Sequence, residues 1–152
     1  MNTNIAKTRV VLDTVALISY FSDIFKQESQ ISHTGISIID KAFTYENEVL
    51  LSIPSIVFVE IFDRWVTDEE SGARIKAEVL ERILIAPNIE IKRIDSEVLE
   101  NYLLLNDPNI NIENHDKIIL ASAIMLGWSL ITSDSTLIQY VEKHRVIPKV
   151  IS

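Results

Sequence analysis

The sequence predicts an α/β fold built on a mostly parallel sheet. Short runs of consecutive aliphatic residues, such as Arg9–Asp13 and Val49–Ile53, lack the alternation of a half-exposed strand and suit strands covered on both faces. Stretches of helical spacing separate these runs, which is the pattern of βα repeats. With only 3 Gly and 4 Pro in 152 residues, tight turns are few, so helices must make most of the connections.

Taken in order, Arg9–Asp13 is a buried strand ending in a carboxylate. Asp13 or Thr14 caps a helix carrying Val15, Leu17, Ile18 and Phe21, extending towards Phe25. Gln27–His33 is a polar loop, and Thr34 caps a second helix with Ile36, Ile39, Ala42 and Phe43 on one face. The strand Val49–Ile53 stops at Pro54, which suits a helix first turn. The helix that follows holds Glu60 among apolar neighbours, and Trp65 with Ile61 and Phe62 reads as core. Thr67–Glu70 caps a further helix running to about Ile85, with acids at its positive end.

Ile89–Ile94 begins with alternation, so it belongs near a sheet edge. Asp95 or Ser96 caps a helix through Leu105, and Asn106–Asn109 is a turn. A helix from His115 to Leu126 advances about 18 Å, and a strand of about five residues returns about 16 Å. The two legs nearly cancel, so Asp116 and Asp134 should meet at one end of the fold. A helix over Ser135–Lys143 and an edge strand within Val146–Ile151 complete the chain, with Pro148 confining that strand to an edge. No linker or repeat divides the chain, so residues 1–152 read as a single domain.

Without Cys there is no disulfide framework and no thiolate site. The N-terminus lacks an export-type apolar run and no long uncharged segment spans a membrane, so a cytoplasmic protein with no membrane partner is expected. A formal net charge of −8 argues against a general phosphate-binding surface.

Functional sites in parallel α/β sheets gather at the carboxyl ends of strands. Asp13 ends the first strand, Asp134 follows the strand Ser129–Thr132, Asp116 opens the helix leading into that strand, and Glu60 lies in the second turn after the second strand. The topology thus delivers four carboxylates to one rim, a donor set suited to hard cations such as Mg²⁺ or Mn²⁺. Taken singly, Asp13 and Asp134 also read as N-caps and Asp116 as a helix-dipole acid.

Four segments, in order and at fitting spacing, resemble those of the PIN domain, the fold of metal-dependent ribonucleases that includes VapC-type toxins. They are Val11–Ile18, Ile53–Glu60, Asp116–Ala123 and Leu130–Asp134. The resemblance implies a three-layer α/β/α PIN-like domain. It also implies a metal-binding and catalytic quartet of Asp13, Glu60, Asp116 and Asp134, with Thr132 as a supporting hydroxyl. Its further implications are an RNA substrate, an antitoxin protein partner and a homodimer. One position departs from the pattern: Val15 stands where the family often has Ser or Asn.

Val15 and the acidity favour an alternative, a catalytically weakened PIN-like domain acting as a protein-binding module. A DNA nuclease or phosphatase could use the same carboxylates. Among other polar residues, His33 and His144 read as solvated, and His115 could assist its neighbour Asp116. Lys143 and Arg145 read as complementing a helix dipole, and Lys117 is the base expected nearest the substrate.

Overall fold

The computed structural model describes residues 7–152. Residues 1–6, part of the stretch that argued against an export signal, lie outside the described residues. A five-stranded parallel sheet runs in the order β3-β2-β1-β4-β5, formed by β1 (Thr8–Leu12), β2 (Val49–Pro54), β3 (Ile89–Lys92), β4 (Ser129–Ile131) and β5 (Val150–Ile151). Helices flank the sheet in the α/β/α arrangement of a PIN domain. Both edge assignments hold, though β5 is shorter than expected: the chain pairs only at Val150 and Ile151, beyond Pro148.

The apolar runs become the centre of the sheet because parallel strands are covered on both faces. Leu12, Leu51, Ile53, Leu130 and Ile131 are fully buried, each a gain of about 1.5–3 kcal/mol over exposure. One enclosed side-chain polar atom among the described residues is unpaired: Ser52 Oγ on β2 has no hydrogen-bond partner. An unpaired hydroxyl in such a place costs about 1–3 kcal/mol. Ser52→Ala is therefore expected to be neutral or to raise the denaturation midpoint, measured in urea.

Between the strands lie α1 (Thr14–Tyr20), α2 (Ser22–Phe25), α3 (His33–Thr44), α4 (Ser55–Trp65), α5 (Glu69–Ile75), α6 (Glu81–Ile85), α7 (Ser96–Leu103), α8 (Asn114–Leu126) and α9 (Ser135–His144). The first helix breaks at Phe21, so α1 and α2 stand where one helix was expected. The cap of α3 is Ser32, whose side chain accepts from Gly35 N, and not Thr34. Pro54 still belongs to β2 and precedes α4 as its cap residue. Asp68 and Ser71 form a reciprocal capping box on α5. From there the helical path to Ile85 is continuous, but Lys76–Leu80 forms a π-helical turn between α5 and α6.

The apolar helix α8 packs on β1, β2 and β4 and also contacts α4 and α7. It stops at Gly127, which adopts φ +70°, a left-handed conformation that glycine reaches without Cβ strain. No helix among the described residues is long and apolar enough to cross a membrane.

The strand order sets the position of the site. The chain steps outward from β1 to β2 and β3, then returns to place β4 on the other side of β1. Connections therefore diverge at the carboxyl ends of β1 and β4, leaving a crevice there.

Candidate active site

The β1–β4 register runs Val10↔Ser129, Val11↔Leu130 and Leu12↔Ile131. One step further, Asp13 and Thr132 fall side by side in the crevice. The Thr132 hydroxyl donates to Asp13 Oδ2, while Ala16 N donates to Asp13 Oδ1 at 2.8 Å. Asp13 is thus an N-cap and a cleft residue at once: one oxygen caps α1 and the other faces β4. Thr132 Oγ1 also accepts from Asp134 N at 3.0 Å, linking the two acids through one buried hydroxyl. Asp134 in turn caps α9, with Oδ1 accepting from Thr136 N and Leu137 N.

Asp13, Glu60, Asp116 and Asp134 line a single cleft of about 230 Å³, together with Thr14, Val15, Arg64 and Glu113 among others. The structure thereby brings all four predicted acids together, from β1, α4, α8 and the β4–α9 junction. The strand β4 is shorter than expected, spanning only Ser129–Ile131, but the chain on either side of it completes the return from α8 that brings Asp134 back to Asp116.

Glu60 is less enclosed than its neighbours in sequence implied. Its side chain is 25% exposed, because α4 turns it towards the cleft while Val59 and Phe62 face outward. Phe62, 37% exposed, is accordingly not core, unlike Ile61. The Thr14 hydroxyl donates to Glu60 Oε1 at 2.7 Å, and His115 Nδ1 lies 3.7 Å from Oε2.

The electrostatics are those of crowded like charges. Burial pushes the Asp13 carboxyl up to about 6; Thr132 and Ala16 pull it down, and Asp134 and Glu60 raise it further. Asp116 is pushed up to about 7, by burial first and then by the charges of Asp134, Glu60, Asp13 and Glu113. Asp116 makes no side-chain hydrogen bond among the described residues; its place in the first turn of α8 is what favours its charge.

The donor set, carboxylate oxygens with paired repulsion, suits a hard divalent cation. The spacing is looser: among the described residues, no three His, Asp or Glu side chains are grouped closely enough to hold one ion. Thr14, Thr132 and the α9 amides hold Glu60, Asp13 and Asp134 to separate walls, and mutual repulsion opposes closer approach.

Several residues behave differently from their sequence reading. Lys117 does not enter this cleft; its Nζ lies 5.4 Å from the centre of the Tyr102 ring and the side chain lines an adjoining hollow. The base in the cleft is Arg64, whose guanidinium sits 4.3 Å from the centre of the Trp65 ring. Thr14 and Glu113 were also missed, although each adjoins an element start that the sequence marked. His144 is not simply solvated: with Lys143 it binds Asp107, at 2.7 and 2.6 Å, and it stacks on Tyr140. These contacts hold the Asp107 carboxyl well below the usual carboxylate range.

Thr132→Val tests the coupling of Asp13 to Asp134. It keeps side-chain volume but removes the hydroxyl from buried Asp13 and part-buried Asp134, so a loss of about 1–3 kcal/mol is expected in urea unfolding at pH 8. A stability equal to wild type would show that the hydroxyl bridge contributes nothing.

The fold and the cleft define a PIN-type α/β/α domain. Solved structures with the same fold include a toxin–antitoxin complex from Klebsiella pneumoniae and a member of the VapBC family of toxin–antitoxin systems. FitAcB from Neisseria gonorrhoeae matches at TM-score 0.64 and 16% identity, covering 94% of this chain and 96% of that one. VapBC2 from Rickettsia felis, bound to a promoter DNA fragment, matches at TM-score 0.62 and 14% identity, covering 93% and 97%. VapBC-5 from Mycobacterium tuberculosis matches at TM-score 0.60 and 12% identity, covering 95% and 99%. No protein-family profile and no curated protein matches the chain.

Proposed function

We propose that this protein is a divalent-cation-dependent ribonuclease acting as the toxin of a toxin–antitoxin pair. The observation that carries the reading is the convergence of Asp13, Glu60, Asp116 and Asp134 on one cleft at the crevice between β1 and β4. These four acids would hold Mg²⁺ or Mn²⁺. When bound, such an ion lowers the pKa of water and offsets charge on a phosphoryl group undergoing hydrolysis.

The chain's own groups serve this chemistry by orientation. Thr132 and Thr14 fix one oxygen each of Asp13 and Glu60. Arg64, at the cleft wall, can donate to a phosphate oxygen with the fork geometry that suits such anions. His115 beside Glu60 can hold a proton near the cleft. The acidic surface disfavours unselective RNA binding, so a selective target follows.

The toxin role draws on the fold shared with toxin–antitoxin complexes, and one hollow has a lining that would suit a partner. A hollow of about 230 Å³ between α2, α4 and α5 is lined by Ile24, Phe25, Trp65 and Ile75, with Lys26 and Arg74 among its polar residues. An amphipathic antitoxin segment would suit it. Trp65 lines both this hollow and the carboxylate cleft, so occupancy of one is placed to affect the other. Separately, Leu99 and Leu103 on α7 and Leu104 just beyond it are exposed, a candidate homodimer contact.

A second reading, a protein-binding module without catalysis, is favoured by Val15, which lines the cleft and offers no polar group there. Incubation with RNA and DNA of one sequence, in Mg²⁺, Mn²⁺ or chelator, separates these readings. Cleavage of RNA that stops on chelation is expected. Chelator-resistant cleavage, or none with any metal, would contradict the proposal, and preferential DNA cleavage would reassign the substrate.

A further inference from the structure

The carboxylate cleft does not end at Asp116 and Asp134. A second hollow of about 210 Å³ shares Glu113, Asp116 and Asp134 with it and adds Asn111 and Thr136. A third, of about 310 Å³, shares Asn111 and continues past Lys117 to Tyr140. The three hollows adjoin through these shared residues and follow one another along α8 and α9 beside the segment preceding α8, a trough in which Thr136 lies in the first turn of α9 and Tyr140 in the second.

The far end of this trough has the chemistry of a recognition site. Tyr140 is 3% exposed, yet its hydroxyl makes no hydrogen bond among the described residues. That hydroxyl is not sealed either, since Ser52 Oγ is the one enclosed, unpartnered side-chain polar atom among the described residues. A nearly buried tyrosine therefore presents a free donor and acceptor at this hollow. Asn106 and Asn111 add amides with both donor and acceptor groups. Lys117 is the one basic side chain among the lining residues of the two added hollows. Asp107 also lines the hollow, but its carboxylate is 3% exposed and bound by Lys143, His144 and Asn109 N, so its charge is answered from behind.

The geometry points to a nucleotide subsite here. It takes the residue of single-stranded RNA that flanks the cleaved bond: Lys117 meets its phosphate, and Asn111 and the Tyr140 hydroxyl read its base edge. This rests on the ribonuclease reading, because the trough gains its meaning from the adjoining carboxylates. Side-chain amides and hydroxyls read bases by paired hydrogen bonds, and a lost pair typically weakens discrimination by about tenfold or more.

The test compares wild type with Tyr140→Phe and Asn111→Ala. Tyr140→Phe keeps the ring packed on His144 and removes only the hydroxyl. Each protein is given a pool of short single-stranded RNAs in Mn²⁺, and cleavage sites are sequenced. Affinity for a labelled RNA octamer is measured separately by anisotropy in Ca²⁺, and Mn²⁺-induced thermal shift serves as the folding control. The expected result is a base preference at one position beside the cleaved bond that falls about tenfold in either variant. The loss should lie in KM, with weaker octamer binding and an unchanged thermal shift. An unchanged cleavage pattern with unchanged octamer affinity overturns the subsite and leaves the ribonuclease reading standing. A wild type that cleaves nothing, but whose octamer binding weakens in the variants, overturns the ribonuclease reading and the placement beside a cleaved bond, and leaves the trough as an RNA-binding site alone. A wild type that neither cleaves nor binds overturns both.

Discussion

Asp116→Asn is expected to stabilise the metal-free protein at pH 8 and, in the same protein, to abolish stabilisation by Mn²⁺. The first effect follows from the Asp116 carboxyl being pushed up to about 7 by burial and by four surrounding acids. An acid raised in the folded state contributes stability that is fully present below its unfolded value near 3.8 and is lost as pH rises through about 7. At pH 8 the fold therefore carries the whole cost of that charge, and asparagine removes it. Asp116 is half-exposed, so solvent screening reduces the gain to about 1–2 kcal/mol, or about 2–6 °C in melting temperature.

The second effect follows if the carboxylate is a ligand, because a cation that binds only the folded state stabilises it by mass action. Wild type should then overtake the variant once Mn²⁺ is added. A residue serving only the α8 dipole would show neither effect. Asparagine would lower the melting temperature slightly, and Mn²⁺ would act on both proteins alike.

The pH dependence of metal-induced stabilisation is the second large effect. Between pH 4 and 7, metal-free protein should lose stability as Asp13, raised to about 6, and Asp116, raised to about 7, ionise in the folded state. Asp68, Asp95 and Asp107 have lowered values, so their contribution is present above about 4 and lost only in stronger acid. They do not change in this window. A cation competes with the two protons, so the shift in melting temperature produced by saturating Mn²⁺ should be near zero at pH 5 and largest by pH 8. Thermal scans at half-unit steps measure it, and a shift independent of pH would place the ion away from Asp13 and Asp116.

The parts of this molecule that sequence made readable depend on chain path alone. Apolar runs became the covered strands, Asp13 lay at a strand end, and the return of the chain from α8 through β4 brought Asp134 back to Asp116. What stayed hidden depends on which way a side chain turns once its helix is packed. Arg64 follows Glu60 by one helical turn on α4, and only the packing of that helix puts both side chains in the cleft. Lys117 adjoins Asp116 in sequence but turns to the Tyr102 ring and the next hollow. The tie from Asp107 to Lys143 and His144 joins residues far apart in the chain, and no local spacing announces it. The break between α1 and α2 and the π turn before α6 are likewise adjustments made by tertiary contacts within stretches of continuous helical pattern.

The most direct test of the metal cleft is calorimetric titration of Mn²⁺ into chelator-stripped protein at pH 8, for wild type, Asp13→Asn and Asp116→Asn. Asparagine caps a helix about as well as aspartate but is a poor substitute for a charged ligand. Both variants should therefore remain folded by circular dichroism. Saturable Mn²⁺ binding in wild type, lost in both variants, is the predicted result. Equal titrations in all three proteins would contradict it.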